Sequence, residues 1–262
     1  MTRHPPGYAA PIHAEVAGDP AHPLVVLVHG SMDRSAGMLR LSRRLDHDLC
    51  VVRYDRRGYG RSVPHPGPFD MAAQVDDLVD LLSGRPAIIV GHSYGGNVAL
   101  TTAARHPHLV RGVVIYESPL SWEPWWSSTS LGARAVEMAH DPEAAAEEFM
   151  RRMLGSARWE ALPERTRATR RAEGLAMVSE LADLRRNRPW RPEEITVPLW
   201  IGYGSDTTPQ HVRGMPYAAE LIPGSHLVML PGCHHLAPNS HPDLFRHELI
   251  DPLLAELATH DA

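Results

Sequence analysis

The chain of 262 residues has no lysine; all 26 of its basic residues are arginine. That absence reads as the coding bias of a GC-rich genome and not as a functional signal. Cysteine is almost as scarce. Cys50 and Cys233 stand at no metal-ligand spacing and cannot build a disulfide framework, which fits a reducing compartment. The net charge is -5, so there is no basic excess to attract nucleic acid. Long apolar runs are missing too. The longest near the N-terminus, Leu24 to Val28, is strand length and cannot span a bilayer. Met1 to Pro11 lacks the apolar stretch of a signal peptide. These absences predict a cytoplasmic protein with no membrane span and no nucleic-acid partner.

What is present suffices for one sizeable core. Hydrophobic residues make up 43% of the chain, enough at this length for a single core with an inserted subdomain. Ile12 to Val16 reads as an edge strand. Leu24 to Val28, Cys50 to Tyr54, Ala87 to Val90 and Gly112 to Tyr116 are continuous apolar runs, the mark of strands covered on both faces. Helical spacing separates them at Ser35–Leu45, at about Phe69–Leu82 and at Asn97–His106. Strand and helix alternating in this way predict an α/β fold with a mostly parallel central sheet flanked by helices. From Leu120 to Glu194 the alternation stops. A Trp-rich stretch leads into helical patterns, Asp141-Pro142-Glu143 opening one helix to about Leu154 and a second running from about Pro163 to Arg186. The α/β rhythm resumes with a strand at Leu199–Gly202, a helix at about Gln210–Leu221, a strand at His226–Leu230 and a last helix at about Pro242–Ala258. The expected organisation is a core of residues 1–119 and 195–262, with residues 120–194 a helical insertion over the carboxyl edge of the sheet.

Chemistry concentrates at one stretch. Gly91-His92-Ser93-Tyr94-Gly95 lies between a strand and a helix, and so tight a reversal holds its middle residue in strained geometry with its side chain clear of the turn. Only very small residues fit at Gly91 and Gly95. Ser93 would then stand at a helix N-terminus, where free N–H groups favour negative charge. Ligands of a parallel sheet gather at the carboxyl ends of its strands. His29-Gly30-Ser31, Asp55, Ser93, Glu117, Asp206 and His235 all follow strands in that sense. The set holds a nucleophile, a base for its proton, and carboxylates to orient the base.

With these motifs in the order Ser, Asp, His, the chain resembles the α/β-hydrolase fold family from about residue 12 to 258. The resemblance implies Ser93 as nucleophile, Asp206 as acid and His235 as base, with Glu117 as the alternative acid or a pocket residue. His235 is preferred over His234 because Gly232-Cys233-His234-His235 has the spacing of the family's Gly-Ala-Gly-His turn, though His234 then occupies a usual glycine position. The same resemblance makes the backbone N–H groups of Tyr94 and Ser31 the oxyanion donors, with Met32 the alternative to Ser31, and makes the helical insertion a cap that shapes the pocket. Trp122, Trp125 and Trp126, at the border of that cap, either anchor it or line the substrate pocket. The implied activity is a serine hydrolase acting on a carboxylic ester, thioester or lactone, with a small acyl compound as its partner. A perhydrolase or acyl transferase using the same triad, or a pseudo-hydrolase that only binds, are the alternatives. No organic cofactor is implied and no metal site is expected; oligomeric state is not legible.

Overall fold

The computed structural model describes residues 12–260, so the leader-free reading of Met1 to Pro11 lies outside the described residues. The apolar runs become seven strands: β1 (Ala14–Ala17), β2 (Leu24–Val28), β3 (Cys50–Tyr54), β4 (Ala87–His92), β5 (Val110–Tyr116), β6 (Leu199–Gly204) and β7 (His226–Leu230). They form one sheet in the order β1-β3-β2-β4-β5-β6-β7. Only β1 runs antiparallel, against β3. Every residue of β2, β3 and β4 is buried, as continuous apolar strands require. Their side chains alternate between two cores: Ile88 and Val90 face the layer that includes Leu41, Leu249 and Leu253, whereas Ile89 faces the layer with Val75, Leu78 and Val98.

The first half of the chain supplies α1 (Leu39–Leu45), preceded by a tight turn at Ser35–Met38, on one face of the sheet, and α2 (Met71–Leu82) and α3 (Tyr94–Arg105) on the other. Asp70 caps α2, its carboxylate accepting from the Ala73 N–H at 2.9 Å. Between β5 and β6 come only helices: α4 (Leu131–Glu137), α5 (Pro142–Leu154), α6 (Ser156–Glu160), α7 (Glu164–Ala172) and α8 (Gly174–Arg186). The single helix expected over 163–186 is thus two. Glu164–Ala172 carries almost no apolar residues and buries none, whereas Gly174–Arg186 has an apolar face that packs inward. The chain breaks where that character changes, at Glu173. After β6 follow α9 (Pro209–Leu221), then α10 (Ala237–Ser240), α11 (Pro242–Phe245) and α12 (Asp251–His260). The last expected helix therefore exists, interrupted by a wider turn at Arg246–Ile250.

The strand order places the site. From β2 the chain steps to β3 on one side, then crosses to β4 on the other. The loops leaving the carboxyl ends of β2 and β4 diverge at that switch and open a crevice. Among the described residues no helix is long and apolar enough to cross a membrane.

Candidate active site

The loop after β4 is the sharp reversal its glycines predict. Ser93 sits at φ 54°, ψ -125°, a conformation that costs a non-glycine residue roughly 1–3 kcal/mol. Its N–H donates to the Tyr116 carbonyl at 2.9 Å, tying the turn to β5. A Cβ on Gly91 would come within 2.5 Å of the Gly96 Cα, and one on Gly95 would run into the Val28 carbonyl oxygen. Across the crevice Gly30 packs against the serine itself, where a Cβ would lie 2.8 Å from the Ser93 Cβ. Tyr94 is the first residue of α3, a position whose N–H has no intrahelical acceptor.

His235 comes to the same place on the loop after β7. Its Nδ1 lies 2.8 Å from Glu117 Oε2, and both His235 and Ser93 line one cavity. His234 is exposed, its ring on the carbonyl of Asp206 at 2.7 Å. Glu117 is fully buried at the end of β5, at φ 49°. Oε1 accepts from the Gly204 N–H at 2.9 Å, and Oε2 from the Thr207 hydroxyl at 2.7 Å as well as from His235. Burial alone would push this carboxyl up. The bond and charge of His235, the nearby His211 and the Gly204 N–H outweigh burial and hold it at about 2. An ionised carboxylate only accepts, so the His235 nitrogen that meets it, Nδ1, carries a proton.

The expectation that Asp206 orients His235 does not match this geometry. Asp206 is exposed, its carboxylate accepting from the Ser205 hydroxyl at 2.7 Å. Strands β5 and β6 are neighbours and end at the same edge, so either following carboxylate was eligible. The left-handed turn at Glu117 and its longer side chain carry that carboxylate under the histidine.

Two further imidazoles flank His235. The His92 ring lies 4.7 Å away, its Nε2 donating to the His235 carbonyl at 2.7 Å. His211, on α9, stacks on the other side at 5.1 Å with the planes 26° apart. Burial, and then the positive charge His235 can carry, push both rings down to about 3, so both are neutral at ordinary pH.

The loop after β2 is braced from below. His29 Nδ1 donates to the Gly30 carbonyl at 2.7 Å, and its Nε2 accepts the Arg56 N–H at 2.9 Å. Ser31 lines the cavity, while its hydroxyl turns away to Glu180 Oε1 at 2.6 Å. Glu180 is fully buried on α8; it also accepts from Tyr59 at 2.6 Å and pairs with the buried Arg56 at 2.6 Å. Asp55 takes the Ser35 and Arg61 N–H groups at 2.6 and 2.8 Å and so shapes its own loop.

The cavity measures about 270 Å³. Its far wall is the helical segment between β5 and β6: Phe149, Met150, Met153 and Leu154 from α5, Leu162, and Thr166 and Arg170 from α7. The tryptophans named as pocket candidates are not on it. Trp122 packs edge-on against Trp190 at 5.5 Å, Trp125 against Tyr217 at 5.2 Å, and Trp126 against His211 at 5.4 Å. They pin the start of the helical segment to α9 and to the Trp190 stretch. Glu117 likewise lies behind His235 and not on the cavity wall. The apolar face of α5 was visible as a helical pattern, but nothing in its residues says that this face meets Ser93.

The site and the fold together define a class. The sequence profile of the Alpha/beta hydrolase family matches residues 25–248, and the chain belongs to that family. Among individual relatives, it is 25% identical to the 2-(acetamidomethylene)succinate hydrolase of Mesorhizobium japonicum over 85% of this chain and 84% of that protein. It is 28% identical to the pimeloyl-[acyl-carrier protein] methyl ester esterase of Aromatoleum aromaticum over 84% and 94%. A thermophilic esterase from Thermogutta terrifontis shares the fold, with a TM-score of 0.73 at 22% identity over 94% and 93% of the two chains.

Proposed function

We propose that this α/β hydrolase cleaves a carboxylic ester, thioester or lactone through an acyl-enzyme on Ser93. The observation that carries the reading is the 2.8 Å contact between Glu117 Oε2 and His235 Nδ1 behind a strained serine on the same cavity. With Nδ1–H held by Glu117, Nε2 faces the reaction as a base. Ser93 Oγ attacks the carbonyl carbon and passes its proton to His235, and Glu117 stabilises the imidazolium. The N–H groups of Tyr94 and Ser31 receive the oxyanion, a contribution of about 3–4 kcal/mol per donor in comparable sites. His235 protonates the leaving alcohol or thiol, then takes a proton from water, which releases the acid and restores Ser93.

Residues 120–194 act as the cap. Their apolar wall from α5 excludes water from the acyl-enzyme and sets the size of the acyl group. The cavity is at the small end of ligand pockets, which run from about 300 to 1,000 Å³, so the substrate is a small acyl compound. The names of two full-length relatives, an ester esterase and a succinate-derivative hydrolase, support carbonyl hydrolysis.

The test is labelling of the purified protein by a fluorophosphonate, alongside hydrolysis of short p-nitrophenyl esters, each compared with Ser93→Ala. Labelling and turnover that both vanish in the mutant are expected. Turnover that survives Ser93→Ala would overturn the mechanism.

A further inference from the structure

Behind the proposed proton relay lies a cluster of potential ligand side chains. One ligand atom each from Glu117, His211 and His235 lies within 4.8 Å of the other two. Glu117 contributes a carboxylate oxygen, and His211 and His235 contribute imidazole nitrogens. Two imidazoles and one carboxylate form a donor set suited to zinc, which takes three protein ligands and leaves a fourth position for water.

His211 is the unexplained member. Its ring is buried and makes no side-chain hydrogen bond among the described residues, and Nδ1 in particular has no partner. A buried imidazole normally spends a ring nitrogen on some acceptor or donor. Here the ring is stacked on His235 and edge-on to Trp126, with Nδ1 uncommitted. The neighbouring loop Ser205–Thr208 is mostly exposed, which gives an ion a short route to the cluster.

We propose that Glu117, His211 and His235 form an inhibitory site for a divalent transition metal, zinc above all. The consequence for catalysis follows from the tautomer and rests on the relay proposed above. A metal on Nδ1 of His235 displaces the proton there, and a neutral ring then carries its proton on Nε2. No proton is lost overall and Glu117 stays ionised. Nε2 no longer has a lone pair for the Ser93 hydroxyl, so the base is switched off while the serine and the cavity remain intact. Hard cations such as Mg²⁺ prefer oxygen ligands and are not held.

The test reads binding and inhibition separately. Ser93→Ala protein is titrated with Co²⁺, whose visible absorption reports tetrahedral nitrogen and oxygen ligation, and with Zn²⁺ by calorimetry. One equivalent bound is expected, with binding weakened by about 10- to 100-fold or more in His211→Phe and in His211→Ala. The parent enzyme is then assayed with Zn²⁺ and with Mg²⁺. Zn²⁺ alone should inhibit, reversibly on chelation, and the His211 variants should lose that sensitivity, read against each variant's own metal-free rate. Zinc inhibition undiminished in both variants, or no stoichiometric metal on the Ser93→Ala protein, would overturn the site. Metal bound through His211 without inhibition would overturn the inhibitory role, leaving a metal site alone, and would count against His235 as the base.

Discussion

Ser31 Oγ and Glu180 Oε1 lie 2.6 Å apart, joining the loop after β2 to α8. The same carboxylate neutralises the fully buried Arg56, so one side chain ties the loop after β2 to the core and to the helical segment between β5 and β6. Glu180→Gln leaves Arg56 with a buried charge and no counter-ion, a defect worth roughly 3–5 kcal/mol. The expected result is a clear fall in thermal midpoint. In the fraction that folds, kcat should drop on the order of tenfold or more with KM little changed, because a misplaced oxyanion donor acts on the transition state. Steady-state kinetics with calorimetry would show it; an unchanged kcat would detach Ser31 from catalysis.

The carboxylates of Glu117 and Asp206 make opposite predictions. Glu117→Gln removes the acceptor that fixes the tautomer of His235, and kcat should fall by about 10⁴, as for the orienting acid of serine proteases. Asp206→Asn should leave kcat close to the parent value, since among the described residues this side chain hydrogen-bonds to Ser205 alone. Measuring the two variants side by side with one ester substrate decides between them.

The cavity wall sets substrate length. Met150→Trp fills space opposite Ser93 and should lower kcat/KM for longer acyl esters by about 10- to 200-fold, while acetate esters stay close to parent. Trp125→Phe, away from the cavity, should leave the chain-length profile unaltered. A series of p-nitrophenyl esters from acetate to octanoate reads both.

Acid should destabilise the fold through its buried imidazoles. His92 and His211 are held at about 3, below the unfolded value of roughly 6.5. Between those values the unfolded chain binds more protons, so the stability these rings contribute is complete above about pH 6.5 and is lost as the pH falls toward 3. Each ring contributes a slope of up to about 1.4 kcal/mol per pH unit. The thermal midpoint should be level near pH 7 and fall steadily below it, and His211→Phe should make that fall shallower. A midpoint that stays level down to pH 4 would be incompatible with neutral buried rings.

Much of this was legible in the chain. The continuous apolar runs at Leu24–Val28 and Ala87–Val90 became buried parallel strands because such runs fit only a sheet covered on both faces. Gly91 and Gly95 marked the reversal at Ser93 because any Cβ there collides with backbone. The expected single helix over 163–186 failed at Glu173 because its apolar periodicity covers only Leu175 to Leu184, and the almost wholly polar stretch before it carries no periodic signal to mark a break. The three tryptophans were ambiguous for a related reason: size makes an aromatic bury itself, but not in any particular place.

The sequence by itself determined the α/β alternation, the strained turn at Ser93 and the loop after the last strand that carries His235, since each depends on local backbone geometry or on a run of one kind of residue. Which carboxylate stands behind His235, which helices wall the cavity, and the gathering of His92 and His211 around His235 were decided only in three dimensions. Glu117 and Asp206 end adjacent strands and carry the same functional group. Only the backbone turn at Glu117, set by its contacts with Gly202, Gly204 and Thr207 some 90 residues away in the chain, delivers one of them to the imidazole.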